Sequence, residues 1–237
     1  MQHYFGKIEK NEAFLEAEDV HHLSVRRGEI GEEIEISDPE GNTYLCALQS
    51  SNPLRIIVKE KLDVKRESDV KVVIAFSLLK SDHNELIIQK CTELGASSFL
   101  PFISERSIVR PSEKEDNKLL RLRKIAKEAA TQCRRSIIPE VSFYLSYKEV
   151  LQKKADHRYF AYEGMLGESE NLFKELSSIQ PGEEVLILIG PEGGFSDKEA
   201  ALAKEAGFEF VSLGRRILRA ETAAIYSTAL LASKGEE

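Results

Sequence analysis

From residue 70 to the C-terminus, short hydrophobic runs alternate with amphipathic segments, and this alternation restricts the possible folds more than any other feature of the chain. Runs such as Val70–Leu78 and Val185–Ile189 have the length and composition of buried strands. The segments 82–95 and 196–207 carry apolar residues at helical spacing and end at a glycine. Strands that alternate with helices predict a parallel α/β sheet with helices on both faces.

The same pattern places the remaining elements of this region. Further strands are predicted at 99–103, 158–162 and 208–213, and further helices at 112–133, 172–176 and 222–232. Asp82 with Glu85, and Ser196 with Glu199, have the spacing of helix-capping boxes, which predicts where two of the helices begin.

The first seventy residues are typical of short strands joined by turns. Residues 33–37 and 43–48 flank the turn signal Asp38-Pro39-Glu40-Gly41-Asn42, which predicts a hairpin. Residues 54–58 predict another strand, so this part indicates a small β-barrel. We expect the charged stretch 59–69 to be a linker, which gives two domains, 1–69 and 70–237.

The composition excludes several classes of protein. With 237 residues, 42% of them hydrophobic and 31% charged, the chain is neither disordered nor collagen-like. No apolar run approaches the roughly 20 residues that cross a bilayer, and the N-terminus lacks the apolar stretch of a signal peptide. The 3 cysteines are far apart and form no CxxC pair, which argues against a disulfide framework or a metal site. We therefore expect a cytoplasmic protein.

Charge is unevenly distributed along this acidic chain, whose net charge is −7. Residues 104–135 carry 10 Lys/Arg against 5 Asp/Glu. This basic segment is typical either of a solvated helix face or of a surface that contacts phosphates.

A glycine-rich loop, Gly190–Ser196, follows a hydrophobic strand and leads directly into a capped helix. Three glycines in five positions allow the backbone to approach a ligand closely. The loop lacks both the GxGxxG pattern and the Lys-Ser/Thr pair of a phosphate-binding loop, and Glu192 would repel a phosphate. The glycine loop therefore favours a ligand without phosphate, although a tight turn remains the alternative.

A second unusual loop, Leu213–Arg219, joins the last strand to the last helix and contains Arg215, Arg216 and Arg219. It is longer than most such connections, and we expect Ile217 and Leu218 to be buried between the arginines. Arginines beside apolar residues favour recognition of a polyanion or a nucleobase. Both loops follow strands of one parallel sheet, so we expect this arginine loop and the glycine loop at the same edge.

The sequences IGPEGGFSDKE and LGRRILRAETA, about twenty residues apart, resemble those of the ribosomal RNA small-subunit methyltransferase E family, which belongs to the SPOUT superfamily. The resemblance extends to KSDHNELIIQKCTELG at 80–95, Glu105-Arg106-Ser107 and Gln132-Cys133-Arg134-Arg135, and more weakly to His22, Val25, Arg27 and Gly31.

The resemblance implies a homodimer that transfers a methyl group from S-adenosylmethionine to N3 of a uridine in 16S rRNA. It implies a SPOUT-type C-terminal domain with a deep trefoil knot, and an N-terminal PUA-like RNA-binding barrel. The implied catalytic residues are Arg219, Glu221 and Thr222. The implied cofactor-binding residues are Ala161, Tyr162, Glu163, Ile189, Gly190, Glu192, Gly193, Gly194, Leu213, Gly214, Ile217 and Leu218. Together with the basic segment, the resemblance suggests RNA contacts at Arg27, Lys80, Arg106, Arg110, Arg121, Lys124 and Arg135.

The chain also departs from the family at several positions. The family often has Gly and Arg where this chain has Ser81 and His83, and Thr where it has Ala220. Glu221 is equally typical of an acid that stabilises the first turn of a helix, so its role as a base stays open.

Two other functions are compatible with parts of the sequence. A nicotinamide oxidoreductase of the Rossmann type would need a GxGxxG loop after its first strand, which is missing. A non-catalytic RNA-binding or ribosome-assembly factor is the second alternative, against which the intact glycine loop and the Arg219, Glu221 and Thr222 set argue.

Overall fold

The computed structural model describes residues 1–26, 28–80, 82–107, 115–162 and 170–236. The chain divides into two compact units. The first consists of Met1–Glu67 together with Ala130–Ile138, and the second of Ser68–Ala129 together with Pro139–Glu237. The predicted boundary at residue 69 lies close to the division after Glu67, but the prediction did not assign residues 130–138 to the first unit.

The first unit is a closed barrel of five strands among its described residues. Its elements are β1 (Gln2–Glu9), β2 (Glu12–Leu15), α1 (Ala17–Val25), β3 (Glu33–Ser37), β4 (Thr43–Ser51) and β5 (Leu54–Leu62). The strands follow the order β1-β2-β5-β4-β3, and the parallel pairing of β1 with β3 closes the barrel.

Apolar residues that alternate along these strands fill the barrel. Ile34, Ile36 and Cys46 are fully buried in its core, beside Leu48 and Ile56. The predicted hairpin is confirmed, because β3 pairs with β4 in antiparallel register across the turn at Asp38–Asn42. Helix α1 was not predicted, and the predicted linker is wrong at its start because β5 continues to Leu62.

Residues 130–138 join the barrel unit through a buried arginine. Arg135 is only 5% exposed, and its Nη2 donates to Glu67 Oε2 at 2.5 Å. The other oxygen of Glu67 accepts from the Ser136 amide at 2.9 Å, and Ser136 Oγ lies 3.1 Å from Thr43 Oγ1. A buried guanidinium requires such a partner, so the C-terminal end of the basic segment serves the structure of this unit.

The second unit contains the predicted α/β sheet. Its strands are β6 (Lys71–Ser77), β7 (Ala96–Ile103), β8 (Glu140–Val141), β9 (Leu145–Ser146), β10 (His157–Ala161), β11 (Glu170–Asn171), β12 (Glu184–Ile189) and β13 (Glu209–Ser212). Its helices are α2 (His83–Glu93), α3 (Glu115–Gln132, which extends into the first unit), α4 (Tyr147–Leu151), α5 (Leu172–Glu175), α6 (Asp197–Glu205) and α7 (Ala220–Lys234). A 3₁₀ turn, Leu176–Ser178, follows α5.

The sheet has the order β11-β13-β10-β12-β6-β7-β8, and β9 also pairs with β7. Each pairing recorded in this sheet is parallel, which confirms the predicted class. Both faces are buried: Val73 and Ala75 pack in a cluster with α4 and α6, while the alternate residues Ile74 and Phe76 are fully buried as well. Burial of both faces explains why these strands are continuous hydrophobic runs.

The two capping predictions have different outcomes. Ser196 caps α6 with a complete capping box to Glu199, as expected. Asp82 is the N-cap residue of α2, so the predicted start of this helix is confirmed. Its side chain makes no capping hydrogen bond and Glu85 instead pairs with Arg121, so the predicted capping box is wrong. The trefoil knot stays a prediction. Of the helices that the structure describes, none has both the length and the apolar character needed to cross a membrane.

Candidate active site

A cavity of about 400 Å³ lies at the carboxyl ends of three neighbouring strands, β10, β12 and β13. Each strand contributes its last residue, namely Ala161, Ile189 and Ser212. This is the edge at which ligands bind in open α/β sheets, and the volume lies within the range of small-molecule sites.

The cavity brings together most of the residues that the sequence singled out. Those that line it are Ala161, Tyr162, Ile189, Gly190, Glu192, Gly194, Leu213, Gly214, Ile217, Leu218, Arg219 and Glu221. Gly193 and Thr222 are not among the lining residues. Glu163 lies outside the described residues.

The glycine loop is held from both of its ends. Ile189, at the end of β12, is buried, and Phe195 is buried against the rings of Phe160 and Phe102. Gly194 has a φ of +67°, a conformation that residues with a side chain rarely adopt, and its amide donates to Pro191 O at 2.9 Å. The loop therefore has a defined turn beside the cavity.

The turn after β7 contacts the glycine loop. Arg106 Nη1 donates to the carbonyls of Gly193 and Phe195, at 3.1 and 3.2 Å. The neighbouring amide of Glu105 donates to Glu199 Oε1 at 2.8 Å. Arg106, expected to contact RNA, thus has two of its contacts on this loop.

The arginine loop is more exposed than the glycine loop. Arg215, Arg216 and Arg219 are all exposed, and Gly214 has a φ of +117°. Ile217 is 73% exposed, so the expectation that it is buried is wrong: this side chain lies at the rim of the cavity rather than in a core. Leu218 is only partly buried.

Glu221 has a polar neighbour that the sequence did not predict for it. This residue lies in the first turn of α7 and is 9% exposed. His83, the first residue of α2, also lines the cavity, and its Nδ1 lies 3.4 Å from Glu221 Oε1. In the sequence, His83 is identified only as a position that departs from the family. That departure was the available signal that His83 belongs to the site.

Other lining residues were also missed as site residues. They are Pro191, Ser212, Arg216, Ala220 and Ala223. Pro191 and Arg216 lie inside the two loops that the sequence identified, whereas the small residues of α7 carry no chemical signal of their own.

The predicted RNA contacts have different surroundings. Arg121 and Lys124 lie on α3 with side chains 67% and 53% exposed, Arg121 pairing with Glu85 and Lys124 lying 3.9 Å from Glu128. Lys80 is exposed, and its amide donates to Glu192 Oε1 at 3.0 Å.

Of the remaining predicted RNA contacts, one is buried and two are not described. Arg135 is buried on Glu67, which leaves its guanidinium unavailable to a phosphate in this conformation. Arg27 and Arg110 lie outside the described residues.

Two family models match the chain. An RNA methyltransferase domain covers residues 66–232, and an RNA methyltransferase PUA domain covers residues 15–61. The chain is 36% identical to the ribosomal RNA small subunit methyltransferase E of Bacillus subtilis (strain 168), over 100% of this chain and 98% of that protein.

Solved structures give the same result. The ribosomal RNA small subunit methyltransferase E from Neisseria gonorrhoeae, bound to S-adenosyl methionine, has a TM-score of 0.86 and 27% identity, with 98% of this chain and 97% of that chain covered. A putative methyltransferase from Legionella pneumophila, in complex with the bound cofactor SAM, has a TM-score of 0.86 and 28% identity, with 98% and 96% covered. The chain belongs to the ribosomal RNA small subunit methyltransferase E family.

Proposed function

We propose that this protein transfers a methyl group from S-adenosylmethionine to N3 of a uridine in 16S ribosomal RNA. Family membership supports methylation of small-subunit ribosomal RNA, and the two similar structures from Neisseria gonorrhoeae and Legionella pneumophila contain bound S-adenosylmethionine. The observation that carries the proposal is the cavity itself, where the glycine loop and the Arg219 and Glu221 pair meet.

The lining suits a sulfonium cofactor better than a nucleotide phosphate. Apolar side chains from Ile189, Leu213 and Leu218 offer contacts to an adenosine, and Gly194 allows close backbone approach. Gly190 instead makes room for the ring of Phe195, which would lie 3.0 Å from an added Cβ. Glu192 adds a carboxylate, which disfavours a phosphate and favours a positive centre. These residues would hold S-adenosylmethionine, together with Ala161, Tyr162 and Gly214.

When bound, S-adenosylmethionine would supply an electrophilic methyl group whose sulfur is displaced in line, so the positioning of the two reactants accounts for much of the acceleration. The uracil N3 is protonated at neutral pH and must lose its proton. We assign Glu221 as the acceptor of that proton, after which the N3 lone pair would bond to the methyl carbon as the carbon–sulfur bond breaks and S-adenosylhomocysteine leaves.

Arg219 has a complementary role in this proposal. Loss of the N3 proton spreads negative charge over the uracil oxygens, and a cation beside them stabilises that charge. Arg219 is the N-cap residue of α7, two positions before Glu221, so one helix start presents both the cation and the carboxylate to the cavity. Thr222 is exposed on the same turn and would contact the RNA.

The ribosomal RNA would be held by exposed cations of the second unit. Lys80, Arg121 and Lys124 are exposed and are assigned to phosphate contacts. The PUA domain match supports a second RNA-binding surface on the barrel unit. We further propose that the enzyme works as a cytoplasmic homodimer, on the basis of the family resemblance and the cysteine spacing.

The test is methyl transfer from labelled S-adenosylmethionine to small ribosomal subunits that lack the endogenous modification, followed by nucleoside analysis. We expect the label in N3-methyluridine. Label in another nucleoside would contradict the assigned atom, and no label despite tight S-adenosylmethionine binding would favour a ribosome-assembly role.

A further inference from the structure

The turn that follows β7 has a specific relation to the glycine loop. Arg106 reaches across from this turn, and its Nη1 donates to two carbonyls of the loop, Gly193 O at 3.1 Å and Phe195 O at 3.2 Å. The two acceptors flank Gly194, whose φ of +67° makes the turn of the loop. Arg106 therefore holds the backbone on both sides of the residue with positive φ.

A second set of contacts joins the same two segments. Glu199, only 4% exposed, accepts from the Glu105 amide at 2.8 Å with one oxygen and from the Ser196 amide at 2.9 Å with the other. Ser196 Oγ donates to Glu105 Oε2 at 2.7 Å. Adjacent residues of one turn thus contact both the glycine loop and the cap of the helix that follows it.

The turn is itself anchored in the core of the unit. Ser77, at the end of β6, lies 2.8 Å from Ser104 and 2.9 Å from Ser107, oxygen to oxygen. Ser107 Oγ also donates to Leu78 O at 3.1 Å, and all three serines are buried. Because the turn is anchored in this way, the Arg106 guanidinium restrains the glycine loop before a ligand binds. The loop then loses less conformational entropy on binding.

We propose that Arg106 is a positioning residue for the cofactor, which holds the glycine loop in its binding shape with the help of Glu105. The inference rests on the proposed function for the identity of the cofactor. It replaces the expectation that Arg106 contacts RNA. Loss of Arg106 is therefore expected to weaken S-adenosylmethionine binding and not RNA binding.

The experiment compares Arg106→Ala and Arg106→Lys with Arg121→Ala, which removes an exposed arginine of α3 that the proposed function assigns to RNA and not to the cofactor. Calorimetry without RNA measures the Kd for S-adenosylmethionine, and filter binding without cofactor measures RNA affinity. Hydrogen bonds from a charged donor are strong, so we expect Arg106→Ala to raise the cofactor Kd about tenfold or more. Arg106→Lys, which lacks the planar fork, is expected to have an intermediate Kd.

Two further measurements separate positioning from unfolding. Thermal melting reports whether each variant folds, and Glu105→Ala offers a second, milder disruption of the same contacts. Amide hydrogen exchange of the peptide covering residues 190–196 reports on the loop directly, and we expect faster exchange in Arg106→Ala than in Arg121→Ala.

The outcomes distinguish this inference from the proposed function. If Arg106→Ala leaves the cofactor Kd and the exchange of the loop unchanged but weakens RNA binding, Arg106 is an RNA contact and the inference is overturned. If the wild-type protein fails to bind S-adenosylmethionine while Arg106→Ala still loosens the loop, the proposed function fails and the role in loop positioning stands.

Discussion

The glycine loop and the arginine loop line the same cavity, yet they are held in different ways. The glycine loop is fixed by Arg106, by the capping box of α6 and by burial of Phe195. In the arginine loop, by contrast, Arg215, Arg216 and Ile217 are exposed. A loop that is fixed before binding suits a small cofactor, whereas exposed cations suit a large polyanion that orders them on arrival.

This difference predicts that substitutions at the two places affect different quantities, cofactor affinity and the rate of methyl transfer. Changes that disturb the turn of the glycine loop are expected to weaken cofactor binding, and changes that remove Arg219 or Glu221 are expected to slow methyl transfer once both substrates are bound.

The largest effect is expected for Arg219→Ala. Removal of one group that stabilises developing charge costs about a hundred- to a thousandfold in rate. We expect a loss of that size in single-turnover methyl transfer at saturating RNA, with the Kd for S-adenosylmethionine within about twofold of wild type. Arg215→Ala is the control, because Arg215 is exposed in the same loop but is not among the residues lining the cavity.

Glu221→Gln tests the carboxylate that the start of α7 presents to the cavity together with Arg219. A positioned general base contributes about a hundredfold or more, so we expect the single-turnover rate to fall about a hundredfold with cofactor affinity retained. If Glu221 only stabilises the first turn of α7, the substitution lowers the free energy of unfolding by less than about 1 kcal/mol and leaves the rate unchanged. Melting temperature and rate, measured on one preparation, separate the two roles.

Two adjacent glycines sharpen the comparison from the side of the glycine loop. Alanine at Gly194 must adopt a φ of +67°, which costs about 1–2 kcal/mol, so we expect the cofactor Kd to rise about tenfold. At Gly193 the added Cβ would lie 3.6 Å from Arg106 Cβ, an ordinary contact, and we expect a Kd near that of wild type. Equal Kd values for Gly194→Ala and Gly193→Ala would mean that the turn conformation does not matter for binding.

The smallest effect is expected for Lys124→Ala on α3. An exposed phosphate contact changes RNA affinity a few-fold and reduces the slope of log affinity against log salt by about one. Salt titrations of RNA binding measure that slope. If Lys124 belongs to a solvated helix face only, the slope stays as in the wild type.

Local patterns in the sequence were sufficient for the sheet and for the position of the cavity. The strand Glu184–Ile189, the cap at Ser196 and the glycines between them are contiguous, so short-range rules apply to all three. Helix α1 was missed because its nine residues, AEDVHHLSV, include only one buried residue, Leu23, and so lack a clear apolar stripe.

The tertiary contacts of individual charged side chains could not be predicted from local patterns. Arg106 contacts Gly193, 87 residues away, and Arg135 pairs with Glu67, 68 residues away. Each arginine is part of a basic segment, so composition indicated an RNA surface, whereas the tertiary partner determines what the side chain does. The contact between His83 and Glu221 likewise depends on two helix starts that meet only in the fold.

The most direct test of the separation between cofactor binding at the glycine loop and catalysis at Arg219 measures two quantities on two variants, Arg219→Ala and Gly194→Ala. These are the Kd for S-adenosylmethionine and the single-turnover rate of methyl transfer at saturating cofactor. We predict that Arg219→Ala keeps the Kd and loses the rate about a hundredfold or more, while Gly194→Ala raises the Kd and recovers the rate at saturation. Loss of the same quantity in both variants would contradict the separate roles of Arg219 and the turn at Gly194.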